Sequence, residues 1–198
     1  MDKISRIKDL LSRRTSKHIE NNAGYIHAAV LIPLFLQEGI YKILFTRRTT
    51  RVEHHKGQIS FPGGTVEDKD RSLEETALRE SFEEIGLLQK DVEILGRIDD
   101  ALTVASNFIV HPFVGRIPYP YPFKINTLEV DRILAVPLEI FYREEAYRTK
   151  GPAGIVDPSY DGPIYKHEGD TIWGATARIM ENLVRITGKN FGLPEKDK

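Results

Sequence analysis

Three glutamates lie close together in the stretch from Gly57 to Leu87. Glu80, Glu83 and Glu84 fall within five positions of a segment whose apolar residues recur at helical spacing. Like charges one helical turn apart repel each other, so this arrangement destabilises an isolated helix. A hard divalent cation such as Mg²⁺ or Mn²⁺, which prefers oxygen ligands, would remove that repulsion. The cluster therefore predicts a metal site.

The helix that carries these glutamates has identifiable ends. Ser72 with Glu75 three residues later is a capping-box pattern that predicts a start at Ser72, and Gly86 is a natural C-cap. No lysine lies between Leu73 and Leu88, whereas a solvated acidic face usually interleaves lysines. The predicted inward face, opposite the glutamates, consists of Leu73, Ala77, Leu78, Phe82 and Ile85. This pattern favours a functional site over the alternative, a solvated acidic face.

The residues before the helix supply the second half of the predicted site. Gly63 and Gly64 end a predicted strand, where the backbone must turn sharply or approach a ligand closely. A local basic cluster precedes them: Arg47, Arg48, Arg51, His54, His55 and Lys56. Arginines hold phosphate charge through paired hydrogen bonds, and a divalent cation bridges phosphate oxygens and activates water. Carboxylates, a hard metal and basic neighbours together indicate hydrolysis of a pyrophosphate-type substrate.

The rest of the chain has the pattern of a sheet with a few helices. Apolar runs predict strands over residues 27–36, 39–48, 92–100, 108–117 and 132–141. Helical spacing predicts a short helix from Ile4, Ile7, Leu10 and Leu11, and a last helix over residues 174–187. Prolines predict irregular backbone over residues 118–123, and the tail from residue 188 is predicted to fray. Strands and helices that do not strictly alternate indicate the α+β class.

Composition describes an ordinary globular protein of one domain. The chain has 198 residues, of which 40% are apolar and 29% charged. Its formal net charge of −1 gives no electrostatic reason to expect a nucleic-acid or membrane partner. The absence of cysteine removes disulfides, thiolate catalysis and cysteine-ligated zinc, and it fits a reducing compartment. No signal-peptide pattern and no apolar run of about 20 residues is present, so we expect a cytoplasmic protein.

The segment GG…RESFEEIGL resembles the Nudix box. That pattern has a glycine, then a glutamate, and then Arg-Glu-apolar-x-Glu-Glu-x-Gly-apolar. The second half is matched in register by Arg79, Glu80, Glu83, Glu84, Gly86 and Leu87. The chain departs from the pattern at Ser81, which takes an apolar position, and the interval before Arg79 is one residue longer than usual. Arg71 falls where the first glutamate stands, which leaves Glu67 or Asp70 to take over that role.

The segment before the box resembles the coenzyme A pyrophosphatases of the Nudix superfamily. Their pattern has Leu-Leu-Thr-x-Arg-Ser/Ala, a further arginine, a glycine and then Phe-Pro-Gly-Gly. The matching residues are Leu44, Thr46, Arg48, Gly57, Phe61, Pro62, Gly63 and Gly64. The chain departs at Phe45, at Thr49 and at Glu53, where the pattern has arginine, and Arg51 is the nearest substitute. The similarity covers residues 25–187.

The resemblance implies a Nudix fold, an α/β/α sandwich with a mixed β-sheet, and it implies roles for individual residues. Glu80 and Glu84 would be the principal ligands of Mg²⁺ or Mn²⁺, with Glu83 as a shared ligand or a water-activating base. Arg79 would orient Glu83, and Glu129 resembles the distal glutamate that many relatives bring to the metal. The substrate-binding residues would be Arg48, Arg51, Gly63 and Gly64. Trp173 and Tyr165 would either line a substrate pocket or belong to the core.

The function implied is hydrolysis of coenzyme A, or a derivative, to 4′-phosphopantetheine or its acylated form and adenosine 3′,5′-bisphosphate. Two alternatives stay open: a Nudix hydrolase of ADP-ribose, NADH or a dinucleoside polyphosphate, and a catalytically silent nucleotide-binding module. We expect a small-molecule nucleotide as the partner, and we leave a homodimer open. The expected organisation is a helical arm over residues 1–20, a Nudix domain over 21–188 and a flexible tail over 189–198.

Overall fold

The part of the chain that the structure describes contains three α-helices and ten β-strands. The computed structural model describes residues 2–20, 24–49, 57–103, 106–143, 160–188 and 191. The helices in this part are α1 (Lys3–Ser12), α2 (Leu73–Ile85) and α3 (Gly174–Thr187). The strands are β1 (Ile26–Gln37), β2 (Ile40–Arg48), β3 (Ile59–Ser60), β4 (Gly63–Thr65), β5 (Glu93–Arg97), β6 (Ala101–Thr103), β7 (Phe108–Arg116), β8 (Val130–Pro137), β9 (Tyr165–His167) and β10 (Asp170–Ile172).

Eight of these strands form one mixed sheet. Its central path runs β3-β2-β1-β7-β5, while β8 pairs with β2, β4 with β1 and β6 with β7. The pair β1 and β7 is parallel and the other pairs are antiparallel. β1 and β2 form the predicted hairpin through Glu38 and Gly39, whose positive φ angles of 52° and 77° suit a two-residue type I′ turn. The remaining strands, β9 and β10, form a separate hairpin.

Helices cover both faces of the sheet. On one face, Ala77 and Ile85 of α2 pack with Leu31, Phe35 and Leu44 of the two central strands. On the other face, α1 and α3 contribute to a larger cluster through Ile4, Ile7, Leu11, Ala177, Met180 and Leu183. Strands covered on both sides carry apolar residues continuously rather than alternately, as the sequence of β1 shows. The predicted α+β sandwich with a mixed sheet is therefore confirmed.

Several predicted strands end earlier than the apolar pattern indicated, among them β5, which stops at Arg97 rather than at residue 100. β8 stops at Pro137, and residues 138–142 form a 3₁₀ helix, so the strand predicted to continue to residue 141 is wrong in its last part. Proline has no N–H to donate to the ladder, which explains the end of pairing there. β3 ends at Ser60, and Gly63–Thr65 form a strand of their own that pairs with β1.

Helix α2 begins after Ser72 and ends at Gly86 as predicted, and its buried side includes Ala77, Leu78 and Ile85 of the predicted inward face but not Phe82. Ser72 accepts a hydrogen bond from the backbone of Glu75 at 3.1 Å, and Gly86 has the left-handed φ of 69°. Phe82, predicted to point inward, is 52% exposed, so that prediction is wrong. The buried ridge instead runs through Ala77, Ser81 and Ile85, four residues apart. The buried Ser81 hydroxyl donates a hydrogen bond to the backbone oxygen of Ala77 at 2.7 Å.

The chain ends contribute to the core on the α1 and α3 side. Phe191 is buried next to Tyr142, and the Arg6 guanidinium lies 5.1 Å from its ring centroid, so the predicted fraying fails at this residue. Gly188 ends helix α3 as its C-cap, the other residues of the predicted tail lie outside the described part of the chain, and the domain boundaries stay predictions. Tyr165 packs in the core against Phe141, while Trp173 contacts Tyr160. Within the described residues, no helix is long and apolar enough to cross a membrane.

Candidate active site

The glutamate helix lies against β4, which contains two consecutive glycines that are needed for different reasons. Gly63 has φ +153°, and a Cβ there would lie 2.4 Å from the carbonyl oxygen of Ala29, so close pairing of β4 with β1 requires glycine. A Cβ on Gly64 would lie 2.5–2.6 Å from the carboxylate atoms of Glu80. The missing side chain of Gly64 therefore makes the space that the Glu80 carboxylate occupies.

Glu84 is the most deeply buried acid of the cluster, with 2% of its surface exposed. Its Oε1 lies 3.7 Å from Nη1 of Arg48, which is too long for a hydrogen bond. Its Oε2 is buried and has no hydrogen-bond partner among the described residues. Burial raises the pKa of Glu84 to about 8 against the opposing charge of Arg48, and the nearby carboxylates of Glu80 and Glu129 add to the rise.

Arg79 links the other two glutamates of the helix. Its Nη1 donates to Glu80 Oε1 at 2.8 Å and to Glu83 Oε2 at 3.0 Å, as the predicted ion pair one turn apart requires. Burial raises the pKa of Glu80, although Arg79 opposes the rise. Glu83 is 45% exposed at its side chain, compared with 14% for Glu80. The helix therefore offers the buried carboxylate of Glu84, the half-buried one of Glu80 and the one of Glu83 that is open to solvent.

Asp70 holds Arg79 in place. Arg79 donates from Nε and Nη2 to the two carboxylate oxygens of Asp70 at 2.9 and 3.0 Å, and from Nη2 to Thr65 O at 3.0 Å. These hydrogen bonds hold the pKa of Asp70 well below its usual range. Glu67 contacts Arg79 only at 3.3 Å. Of the two candidates for the missing first glutamate of the box, Asp70 has the closer and bidentate contact, whereas Arg71 points away to pair with Glu75.

The loop of residues 124–130 brings Glu129 to the carboxyl end of α2. The backbone N–H of Lys124 donates to Ile85 O and that of Asn126 donates to Glu84 O, both at 2.9 Å. A Cβ on Gly86 would lie 2.9 Å from Lys124 Cβ, so the closeness of the loop depends on this glycine. Asn126 then donates from Nδ2 to Glu129 Oε1 at 3.1 Å. The sequence analysis did not identify Asn126 as a site residue, although its position three residues before Glu129 would allow the two side chains to meet.

A cavity of about 490 Å³ lies at the end of β2. Its lining consists of Arg47, Arg48, Thr49, Gly57, Thr127, Val130 and Asp131. Arg48 connects the cavity with the buried acids, because it also lies beside Glu84. The predicted substrate-binding Arg51 lies outside the described residues, together with His54, His55 and Lys56 of the basic cluster.

A second group of ligand-type side chains lies away from the glutamates. His18, Asp100 and His111 bring one potential ligand atom each within 4.8 Å of one another. The two histidines contact the Asp100 carboxylate at 2.5 and 2.9 Å, and Arg97 donates to the same carboxylate at 2.6 Å. A cation would compete with that guanidinium charge and with a further hydrogen bond from the Ile19 backbone. We interpret this group as a hydrogen-bonded link between the segment after α1 and the sheet.

The cluster of Glu80, Glu83 and Glu84 fits a divalent cation better than the group of His18, Asp100 and His111 does. Glu84 has a buried carboxylate oxygen without a partner among the described residues, and Glu80 lies in the space left open by Gly64. Both acids have raised pKa values, which a bound cation would reverse by favouring the ionised form. Their all-oxygen character suits Mg²⁺ or Mn²⁺. Glu80, Glu84 and the nearby Glu83 are the residues that would hold it.

Comparison with known proteins gives matches along most of the chain. A family model for the NUDIX domain matches residues 25–139. A protein of Photorhabdus laumondii named Uncharacterized Nudix hydrolase NudL is 34% identical over 164 residues, covering 80% of this chain and 83% of the relative. The protein of that name in Yersinia enterocolitica is 36% identical over 166 residues, with 83% of each covered. A MutT/nudix family structure from Enterococcus faecalis has a TM-score of 0.57 at 14% identity, covers 92% of this chain and 73% of its own, and shows the shared fold.

We expect Mn²⁺ binding to release about one proton at pH 7. Because the pKa of Glu84 is about 8 without metal, its carboxyl group is mostly protonated there, and a cation must displace the proton. The affinity for Mn²⁺ should rise about tenfold per pH unit between pH 6 and 8 and then level off. Calorimetric titration in buffers of different ionisation enthalpy measures both effects. Proton release that persists in Glu84→Gln, or an affinity that is flat with pH, would contradict this assignment.

We also expect Mn²⁺ to raise the melting temperature of the wild-type protein through preferential binding to the folded state. Glu80→Gln combined with Glu84→Gln should abolish that rise. A carboxyl group whose pKa is raised on folding contributes stability at low pH that is lost as the pH rises toward 8. Without metal, the double variant should therefore be more stable than wild type, by a larger margin at pH 8 than at pH 6.

Thermal melts with and without EDTA make this comparison. Glu74→Gln is the matched control, because Glu74 is exposed on the same helix and should change neither the Mn²⁺ effect nor the pH dependence. An equal Mn²⁺ shift in the double variant and in wild type would place the cation elsewhere.

Proposed function

The chain belongs to the Nudix hydrolase family, and we propose that it hydrolyses the diphosphate bond of coenzyme A or a derivative with the help of Mg²⁺ or Mn²⁺. It is an enzyme, a Nudix pyrophosphohydrolase. The observation that carries the site assignment is the buried Glu84 carboxylate, whose Oε2 has no hydrogen-bond partner among the described residues and whose neighbour Arg48 lines a cavity. The coenzyme A assignment is supported by the spacing of Arg48, Gly57 and the Phe61–Gly64 segment.

The proposed substrate contacts follow from charge and position. A diphosphate carries charge on several oxygens, and arginine binds two of them at once through its planar fork. Arg48 lines the cavity and lies beside Glu84, so we assign it to the diphosphate. Arg51 is proposed as a second substrate-binding arginine on the sequence pattern alone. Gly63 and Gly64, which the sequence pattern offers as substrate-binding residues, are proposed to act through the close packing of β4 and the placement of the Glu80 carboxylate beside it.

The proposed reaction is attack of a water oxygen on one phosphorus atom, with cleavage of the bond to the bridging oxygen. Glu80 and Glu84 hold the cation, which when bound supplies Lewis-acid stabilisation of the phosphate charge. Glu83 is the carboxylate of the helix most open to solvent, so we assign it to accept the proton of the attacking water. Arg79 positions Glu83, and Glu129 lies near enough to Glu80 and Glu84 to contribute a further carboxylate.

The products of this reaction are two phosphate monoesters. From coenzyme A they are 4′-phosphopantetheine and adenosine 3′,5′-bisphosphate, and an acyl-coenzyme A would give the acylated pantetheine product. The water proton taken by the carboxylate returns to solvent, and the bridging oxygen stays with the leaving phosphate. No oxidant or second substrate is required.

Asp70→Asn should lower kcat about ten- to a hundredfold while the protein stays folded. The variant weakens the bidentate contact that fixes Arg79, and small misplacement of a positioned group has effects of this size. Steady-state kinetics at saturating cation measures the change, and circular dichroism checks the fold. Glu67→Gln is the matched control, because Glu67 makes only a longer contact with Arg79. An unchanged kcat in Asp70→Asn would remove Asp70 from the catalytic arrangement.

A substrate panel tests the proposed function directly. With Mg²⁺ or Mn²⁺, we expect coenzyme A to give the highest kcat/KM among coenzyme A, ADP-ribose, NADH and a dinucleoside polyphosphate. Mass spectrometry should identify 4′-phosphopantetheine and adenosine 3′,5′-bisphosphate as products. Glu84→Gln, which removes a proposed metal ligand, should reduce turnover of every substrate by orders of magnitude and thereby excludes a contaminating enzyme. Faster cleavage of another diphosphate by the wild-type enzyme would replace coenzyme A as the substrate.

A further inference from the structure

Two arginines face each other across neighbouring strands at the mouth of the cavity. Arg47 of β2 and Arg132 of β8 are directly paired in the antiparallel register. Like charges opposite each other in a sheet are destabilising, so such a pair needs a compensating group. The register shifts between Arg47 and Arg48, so both consecutive arginines of β2 line the cavity although they follow each other in a strand.

Asp170 of β10 supplies part of that compensation, and it supplies more to one arginine than to the other. Arg132 donates from Nη2 to both carboxylate oxygens of Asp170 at 2.7 Å. The Asp170 side chain is only 10% exposed, whereas that of Arg132 is 46% exposed. Arg47 lies 3.7 Å from Asp170 and 4.0 Å from the exposed Asp131, distances that are too long for hydrogen bonds. The Asp170 carboxylate thus lies near two guanidinium groups, but it accepts hydrogen bonds from Arg132 and forms only a longer ion pair with Arg47.

The Arg47 guanidinium is therefore held in place by ion pairs, while its N–H groups donate no close hydrogen bond to the described carboxylates. Within the described residues, its side chain has ion pairs with Asp170 and Asp131 but donates no hydrogen bond at normal length. It is 40% exposed and lines the same cavity as Arg48, which lies beside the metal-binding end at Glu84. A ligand whose diphosphate occupies the Arg48 end can present another anionic group to Arg47 without leaving the cavity.

We infer that Arg47 is a specificity-determining residue, which donates to a phosphate monoester that the substrate carries in addition to its diphosphate. Asp170 and Arg132 act as positioning residues that hold its guanidinium at the cavity. The inference rests on the proposed function, in which coenzyme A carries such a group as its 3′-phosphate. Arginine suits this role because its planar fork binds two phosphate oxygens at once. Arg51, proposed above as a second substrate-binding arginine, is the alternative residue for this phosphate.

The test is the ratio of kcat/KM for coenzyme A to kcat/KM for 3′-dephospho-coenzyme A. The wild-type enzyme should favour coenzyme A, and Arg47→Ala should lower the ratio about ten- to a hundredfold, the effect of losing one charge-assisted contact. Arg47→Lys should give an intermediate ratio, because it keeps the charge but loses the fork. If Arg47→Ala does not fold, Arg47→Gln carries the same test. Arg116→Ala, at an exposed arginine paired with Glu93, is the matched control and should leave the ratio unchanged.

The outcomes separate this inference from the proposed function. Wild-type enzyme that does not cleave coenzyme A would overturn the proposed function, and the inference with it. Wild-type preference for coenzyme A combined with an unchanged ratio in Arg47→Ala would overturn the inference alone. A lowered ratio in Arg51→Ala but not in Arg47→Ala would assign the extra phosphate to Arg51 instead. Equal losses on both substrates in Arg47→Ala would move Arg47 to the diphosphate and also overturn it.

Discussion

The burial of the Glu84 carboxylate is the constraint on which the rest of the site depends. A buried ionised carboxylate is destabilising by several kcal/mol unless other charges and hydrogen bonds compensate for it. Arg48 approaches within 3.7 Å but makes no hydrogen bond, and one carboxylate oxygen has no partner among the described residues. At neutral pH the neutral form of Glu84 is therefore favoured, and a further positive charge would shift the balance toward the ionised form.

The neighbouring residues fix the positions of the Glu80 and Glu84 carboxylates. Gly64 leaves the space that Glu80 fills, and Gly86 lets the loop of residues 124–130 approach the end of the helix. Arg79 holds Glu80 and Glu83 by hydrogen bonds, and Asp70 holds Arg79. Each of these residues fixes a carboxylate position rather than adding apolar contact. Their contribution is the prearranged geometry that cation binding and catalysis need.

The sequence predicted features that depend on local physics and missed those that depend on tertiary contacts. The ends of α2 followed from capping at Ser72 and from the left-handed Gly86, which neighbouring residues determine. The predicted inward position of Phe82 was wrong, because which side chains of the helix meet the sheet depends on the rotation of the helix about its axis, which tertiary packing determines. The choice of Asp70 over Glu67 depends on the path of the loop between β4 and α2. The pairing of Arg47 with Arg132 depends on strand register, which no local pattern specifies.

The incomplete contact between Arg48 and Glu84 has a consequence for function. A hydrogen-bonded ion pair would have ionised Glu84 without metal, and a cation would then have had to displace the guanidinium. It would also have used the hydrogen-bonding capacity of Arg48 within the protein. At 3.7 Å, Arg48 lowers the pKa of Glu84 only partly, so the carboxylate stays available for a cation and the guanidinium for a phosphate. Arg47 follows the same principle, because Arg132 takes the close contact with Asp170 and leaves Arg47 directed to the cavity.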